Sequence, residues 1–157
     1  MSHVCRRHVI ATCAMFFLFS CIHSANAEDF GTAEQAKAMV DRVTVFFKAN
    51  GKEKTLAELS NPKGQFIDRD LYVIAYSLEG IRLAHPYNPK LIGLSVLDAV
   101  DFDGKAYGKD IITLANGAGS GWVDYKFTDP TTKKLADKSL YILKAGDLIF
   151  GCGIYKR

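Results

Sequence analysis

Between Gly121 and Lys144 the chain reads GWVDYKFTDPTTKKLADKSLYILK, with Trp122, Tyr125 and Tyr141 interleaved with Lys126, Lys138 and further lysines. An ammonium beside phenol hydroxyls and ring faces suits a small organic anion, through charge, hydrogen bonding and cation–π attraction. The same composition makes an ordinary amphipathic hairpin, and this stretch alone leaves both readings open. A second group of candidates lies upstream: Tyr76, Arg82 and His85, with Tyr87 just beyond. Arg82 rivals Lys138 for a carboxylate, because a guanidinium grips both oxygens at once. Tyr76 and His85 can hydrogen-bond a ligand while presenting apolar surface to it. The bland alternatives are aromatic rings packed in a core, a solvated lysine at a strand edge, and a histidine satisfied by nearby backbone.

Other chemistries have less to work with. His85 is the only histidine after the first 27 residues, and no nucleophile-elbow sequence is present, so the chain does not read as an enzyme. Asp101, Asp103, Gly104 and Asp110 fall on some positions of a calcium loop. The first position would be Ala99, however, and the last is Asp where a bidentate Glu belongs. That stretch reads as a turn and a helix start. No His/Cys cluster suggests zinc, and no cofactor is expected.

The elements that must position these residues follow from periodicity. Thr32 with Gln35 is a capping-box pattern. Behind it Ala33, Ala36, Met39, Val40, Val43, Phe46 and Phe47 form one apolar stripe that ends at Asn50-Gly51, which predicts a long helix. Lys52 to Leu59 predicts a short second helix, whereas Phe66 to Asp70 is ambiguous. LYVIAYS, residues 71–77, turns at Glu79-Gly80 and returns over 81–85 as a hairpin, with His85-Pro86 closing the second strand. Alternation puts Tyr72, Ile74 and Tyr76 on one face and Leu71, Val73 and Ala75 on the other. A connector follows, with a possible helical turn over 95–100, and then a helix over 105–115. Strands are expected at 122–127, 138–143 and 148–155. The architecture is therefore α+β: about five antiparallel strands, the long N-terminal helix on one face and the connector on the other. Trp122 and Tyr125 stand at an odd offset, as do Lys138 and Tyr141, so only one of each pair faces a given side unless a bulge intervenes.

Residues 1–27 read as an export signal. Arg6-Arg7 precedes an apolar run over 9–22, and Ala25-Asn26-Ala27 supplies small residues for cleavage. Lipidation at Cys21 is the less favoured alternative. Removing 27 of the 157 residues leaves 130, one domain over residues 28–157, with 18 Lys+Arg against 17 Asp+Glu. That balance gives no footprint for nucleic acid. Of the four cysteines only Cys152 remains, read as a small buried hydrophobe.

The run YSLEGIRLAHPYNPKLIGLSVLDAVDFDGK, then GSGWVDYKFTDPTTKKLADKSLYI, then the terminal GCGIY, together resemble the single Cache domains. The resemblance covers about Ala33 to Lys156. These are extracytoplasmic sensor domains of chemoreceptors and sensor kinases. It implies a PAS-like fold with a ligand cavity between one sheet face and the connector, and ligands such as small carboxylates or amino acids. Under it Tyr76, Arg82, His85, Trp122, Tyr125, Lys138 and Tyr141 are the ligand-binding candidates. The expected protein is a stand-alone periplasmic or secreted binding domain that works in sensing. Its expected partners are a small organic anion or amino acid, a membrane receptor or sensor kinase, and a second copy of itself. The alternative is a module that docks on such a receptor or self-associates without its own ligand.

Overall fold

The structure is a computed structural model that describes residues 30–156; the segment read as an export signal, with Cys21, lies outside these residues. The first helix, α1, spans Ala33–Asn50. Thr32 Oγ1 accepts from the Gln35 N–H at 3.3 Å, and the Gln35 carboxamide accepts from the Thr32 N–H at 3.0 Å, so both halves of the capping box form. Helix α2, Lys52–Leu59, follows directly.

The strands are β1 (Ile67–Asp68), β2 (Leu71–Ser77), β3 (Arg82–Ala84), β4 (Ser120–Thr128), β5 (Leu135–Ala145) and β6 (Leu148–Tyr155), with α3 (Tyr107–Gly117) before β4. All pairings are antiparallel, in the order β1-β2-β6-β5-β4, and β3 also pairs with β2. The last strand of the chain thus lies at the centre, between β2 and β5. A central strand has no free edge to solvate polar groups, which suits the apolar LIFGCGIY.

Two cores result. On one face Leu71, Val73, Ala75, Phe150 and Cys152 pack against Ala36, Met39, Val40 and Val43 of α1. On the other, Tyr72, Ile74, Tyr76, Leu140, Ile142 and Ile149 meet Val96 of the connector and Ile111, Ile112 and Ala115 of α3. The long helix covers one face and the connector covers the other, as alternation along 71–77 requires.

One local expectation is corrected, and two other segments are defined more closely. The ambiguous segment 66–70 contains β1, whose Ile67 and Asp68 pair with Tyr72 and Leu71. No helical turn forms over 95–100. Ser95 bridges to Ile81, and the only helical turn of the connector is a 3-10 turn at Pro89–Leu91. Asp101 is a brace. Its Oδ1 accepts from the N–H groups of Asp103 and Lys105, both at 2.9 Å, and its Oδ2 accepts from the Lys126 N–H at 3.0 Å. The carboxylate ties the connector to edge strand β4, and those backbone donors, Lys126 first, hold its pKa low.

Candidate functional site

Pairing between β4 and β5 is unbroken from Ser120–Leu143 to Thr128–Leu135, so no bulge interrupts it. Alternation then decides both odd-offset pairs. Tyr125 and Lys138 are direct cross-strand partners on the connector face, and Trp122 and Tyr141 are partners on the α1 face. The expectation that Trp122 and Tyr141 share a cavity with the other candidates is corrected. Their rings pack together at 5.3 Å, and Lys37 of α1 stands over both. A hollow of about 520 Å³ outside β4 is lined partly by Trp122, but its Lys105 already faces Asp110 at 3.7 Å.

The structure gathers Tyr76, Arg82, His85, Tyr125 and Lys138 around one cavity beneath the connector. It adds Tyr72, Tyr107 and Phe127, with Tyr155 adjacent through hydrogen bonds to Tyr72 and Lys138. Tyr72 shares the face of Tyr76 by simple parity, and Tyr155 closes the quoted GCGIY run, so for these two a signal was present. Tyr107 had only its place on a helical stripe.

Lys138 is 1% exposed, a buried cation and not a solvated edge charge. Its Nζ donates to Tyr72 Oη at 2.7 Å and Tyr155 Oη at 3.2 Å, and sits 4.3 Å from the Tyr72 ring centre. The Tyr72 and Tyr155 hydroxyls are 3.3 Å apart, and Tyr155 donates on to the Thr128 carbonyl at 3.1 Å. No carboxylate forms an ion pair with Lys138 among the described residues. Burial pushes its pKa down to about 7, against a smaller raising pull through space from Asp129 and Asp70.

Lys138 reaches Tyr72 across β6 because that strand has no side chain in the way. A Cβ on Gly153 would stand 2.1 Å from Lys138 Cε. Gly153→Ala is therefore expected to fold with Lys138 displaced from the tyrosines, at a cost of about 1–3 kcal/mol of overpacking. Urea denaturation checks this; an unchanged midpoint would mean that Lys138 moves aside without loss.

Arg82, also buried, carries the second cation. Its Nε has no hydrogen-bond partner, and its guanidinium carbon lies 5.4 Å from the Tyr76 ring centre. A buried donor without a partner costs about 1–3 kcal/mol. Burial drives the Tyr76 hydroxyl up to about 12, with Arg82 pulling the other way, so this phenol is neutral. Tyr107 and Tyr125 stack at 4.1 Å and form a flat wall.

His85 lines the cavity and is also satisfied by nearby backbone. Its Nδ1 accepts from the N–H groups of Tyr87 and Asn88 at 3.2 and 3.1 Å. An accepting Nδ1 carries no proton, which leaves Nε2–H as the donor in the neutral ring. Burial, reinforced by Lys138 and Arg82, pushes the pKa down to about 3, so the ring stays neutral.

The cavity itself is nearly closed, about 10 Å³, close to what one water needs. Beside it opens a vestibule of about 300 Å³ that shares Tyr72, His85 and Phe127 with it and is otherwise lined by Tyr87, Asn88, Thr128, Pro130 and Lys133.

An antiparallel sheet with a helix on one face and a cavity under a crossing connector on the other is a PAS-like sensor domain. Within that class the chain belongs to the single Cache domain 2 family, whose model matches residues 33–156. Cache domains are extracytoplasmic ligand-binding modules of sensors. Over 89 residues the chain is 32% identical to the sensor histidine kinase MctS of Rhizobium johnstonii; the match covers 55% of this chain and 19% of that protein. A methyl-accepting chemotaxis protein from Vibrio parahaemolyticus superposes with a TM-score of 0.62 at 27% identity, over 78% of this chain and 86% of that one. A Cache chemosensory domain described for carboxylic acid recognition gives a TM-score of 0.62 at 23% identity, over 79% and 88%, a likeness of fold.

Proposed function

We propose that this chain is an exported sensor domain that binds a short monocarboxylate between Arg82 and Lys138 and does no catalysis. The observation that carries the reading is the pair of buried cations, Arg82 at 5% and Lys138 at 1% exposure, with no acidic side chain in the cavity wall. Charge buried without a counter-ion is costly, and a carboxylate would lower that cost at both groups. The absence of an acid in the wall also argues against amino acids, whose ammonium would meet two cations and no counter-charge. A cavity that is now near the size of one water has to widen towards the vestibule to admit any acid, and an acid of few carbons needs the least widening. The likeness to a Cache domain described for carboxylic acid recognition supports the same class. Bound ligand would be read by a membrane receptor or sensor kinase.

A thermal-shift screen tests this. Acetate, propionate and pyruvate are expected to raise the melting temperature in a saturable way, and the free amino acids are not. Stabilisation by amino acids with none from the acids would overturn the reading.

A further inference from the structure

We propose that the cavity takes up its carboxylate together with one proton from solvent, and that Lys138 Nζ is the group that accepts it. This rests on the monocarboxylate reading above and adds that the domain responds to the acid and to acidity jointly.

The groups around Lys138 differ in whether they can change charge. From β3 it meets Arg82, whose guanidinium is always charged. Beyond β3 stands His85, locked as a neutral Nε2–H donor by the two backbone N–H groups on its Nδ1. Tyr72 and Tyr76 of β2, Tyr107 of α3, Tyr125 of β4, and Tyr155 and Cys152 of β6 are all kept protonated by burial. The acids that act on Lys138 through space, Asp70 before β2 and Asp129 in the β4–β5 turn, lie outside the cavity wall and are engaged elsewhere. Asp70 accepts from the Gly31 N–H, and Asp129 accepts from the Thr131 N–H and hydroxyl. Lys138 is thus the one group in the cavity whose charge follows occupancy.

In the empty cavity the ammonium shares a low-dielectric space with Arg82 and has no counter-ion, so near neutral pH it gives up its proton easily. A carboxylate entering that space restores the preference for the charged form, and a proton moves from solvent to Nζ; no bond is made or broken in the ligand. The acids in question are already ionised throughout this range, so any pH dependence of binding reports the protein. Above neutrality the binding-competent fraction falls by about tenfold per pH unit, and apparent affinity falls with it. A cell that releases an organic acid releases carboxylate and proton together, and this site would answer most strongly to that pair.

Isothermal titration of the full mature chain with acetate, propionate and pyruvate tests the coupling, in Hepes and in Tris, whose ionisation enthalpies differ. At about pH 8 the difference in heat is expected to correspond to the uptake of close to one proton, and at about pH 6 to almost none. The affinity should fall about tenfold between about pH 8 and 9. In Lys138→Arg, whose charge is permanent, whatever affinity remains should be independent of pH and buffer. Binding at about pH 8 with the same heat in both buffers, or constant affinity across this range, would sink the proton coupling and leave the carboxylate reading standing. Failure of all three acids to bind at any pH would overturn both.

Discussion

Lys138→Met is expected to lose carboxylate-dependent stabilisation altogether and to melt higher than the unsubstituted chain. The two effects share a cause. A pKa held at about 7 instead of 10.5 means that burial disfavours the ammonium, and at about 1.4 kcal/mol per unit the penalty is on the order of 5 kcal/mol. Methionine fills a similar volume without charge. It strands neither hydroxyl, because Tyr72 can still donate to Tyr155 and Tyr155 to the Thr128 carbonyl. Some of the gain is offset by the lost ammonium–phenol hydrogen bonds and ring contacts. A net gain of about 2 kcal/mol, roughly 6–10 °C in melting temperature, is the expected result. Scanning calorimetry with and without acetate checks both effects. A variant that melts lower would identify Lys138 as a structural pillar instead.

The pH dependence of that difference has a fixed sign. For a base whose folded pKa is depressed, the unfolded chain binds more protons between the two values, so stability rises with pH across that window. Here the window runs from about 7 to 10.5, and the whole penalty stands below it. The unsubstituted empty chain should therefore gain stability from about pH 7 to 9, and Lys138→Met should lack that gain. His85 acts likewise lower down, where stability is lost as pH falls from 6.5 towards about 3.

The fold was legible because its signals are local. The stripe of α1 states which of its sides is apolar, and the run 71–77, apolar on both faces, requires cover on each; the two cores obey both. β1 escaped because two residues carry no period. The site was half legible for a different reason. Parity shows that Trp122 and Tyr125 part company, but which of them meets the cavity depends on which face α1 takes, a decision made elsewhere in the chain. A signal lay in the flanking residues. Val123, Tyr125 and Phe127 form an apolar row, whereas Trp122 shares its row with Asp124 and Lys126. Lys138 stands among the candidates read from the sequence, but the depth of its burial does not: that depends on Gly153 of the next strand, fifteen positions away, and its own neighbours do not announce it.

Arg82 is the sharper test of where the carboxylate sits. Arg82→Met is expected to weaken binding about 100-fold or more, the usual cost of truncating one partner of a buried, hydrogen-bonded charge pair. Its effect on the empty protein is expected to be smaller, because the Nε that it removes has no hydrogen-bond partner and methionine keeps apolar contact where the guanidinium lay against the Tyr76 ring. Arg82→Lys separates charge from geometry. An ammonium keeps the positive charge but cannot present paired N–H groups to both oxygens, so about a tenfold loss is expected if the carboxylate is gripped in that way. Full binding by Arg82→Lys would mean that charge alone suffices. Unchanged binding by Arg82→Met would move the carboxylate to Lys138 and the tyrosines, and leave Arg82 as a buried cation stacked on Tyr76. Titration calorimetry with acetate on both variants decides between these arrangements. Together with Lys138→Met it shows whether one oxygen pair is shared by both cations or each cation holds a different part of the ligand.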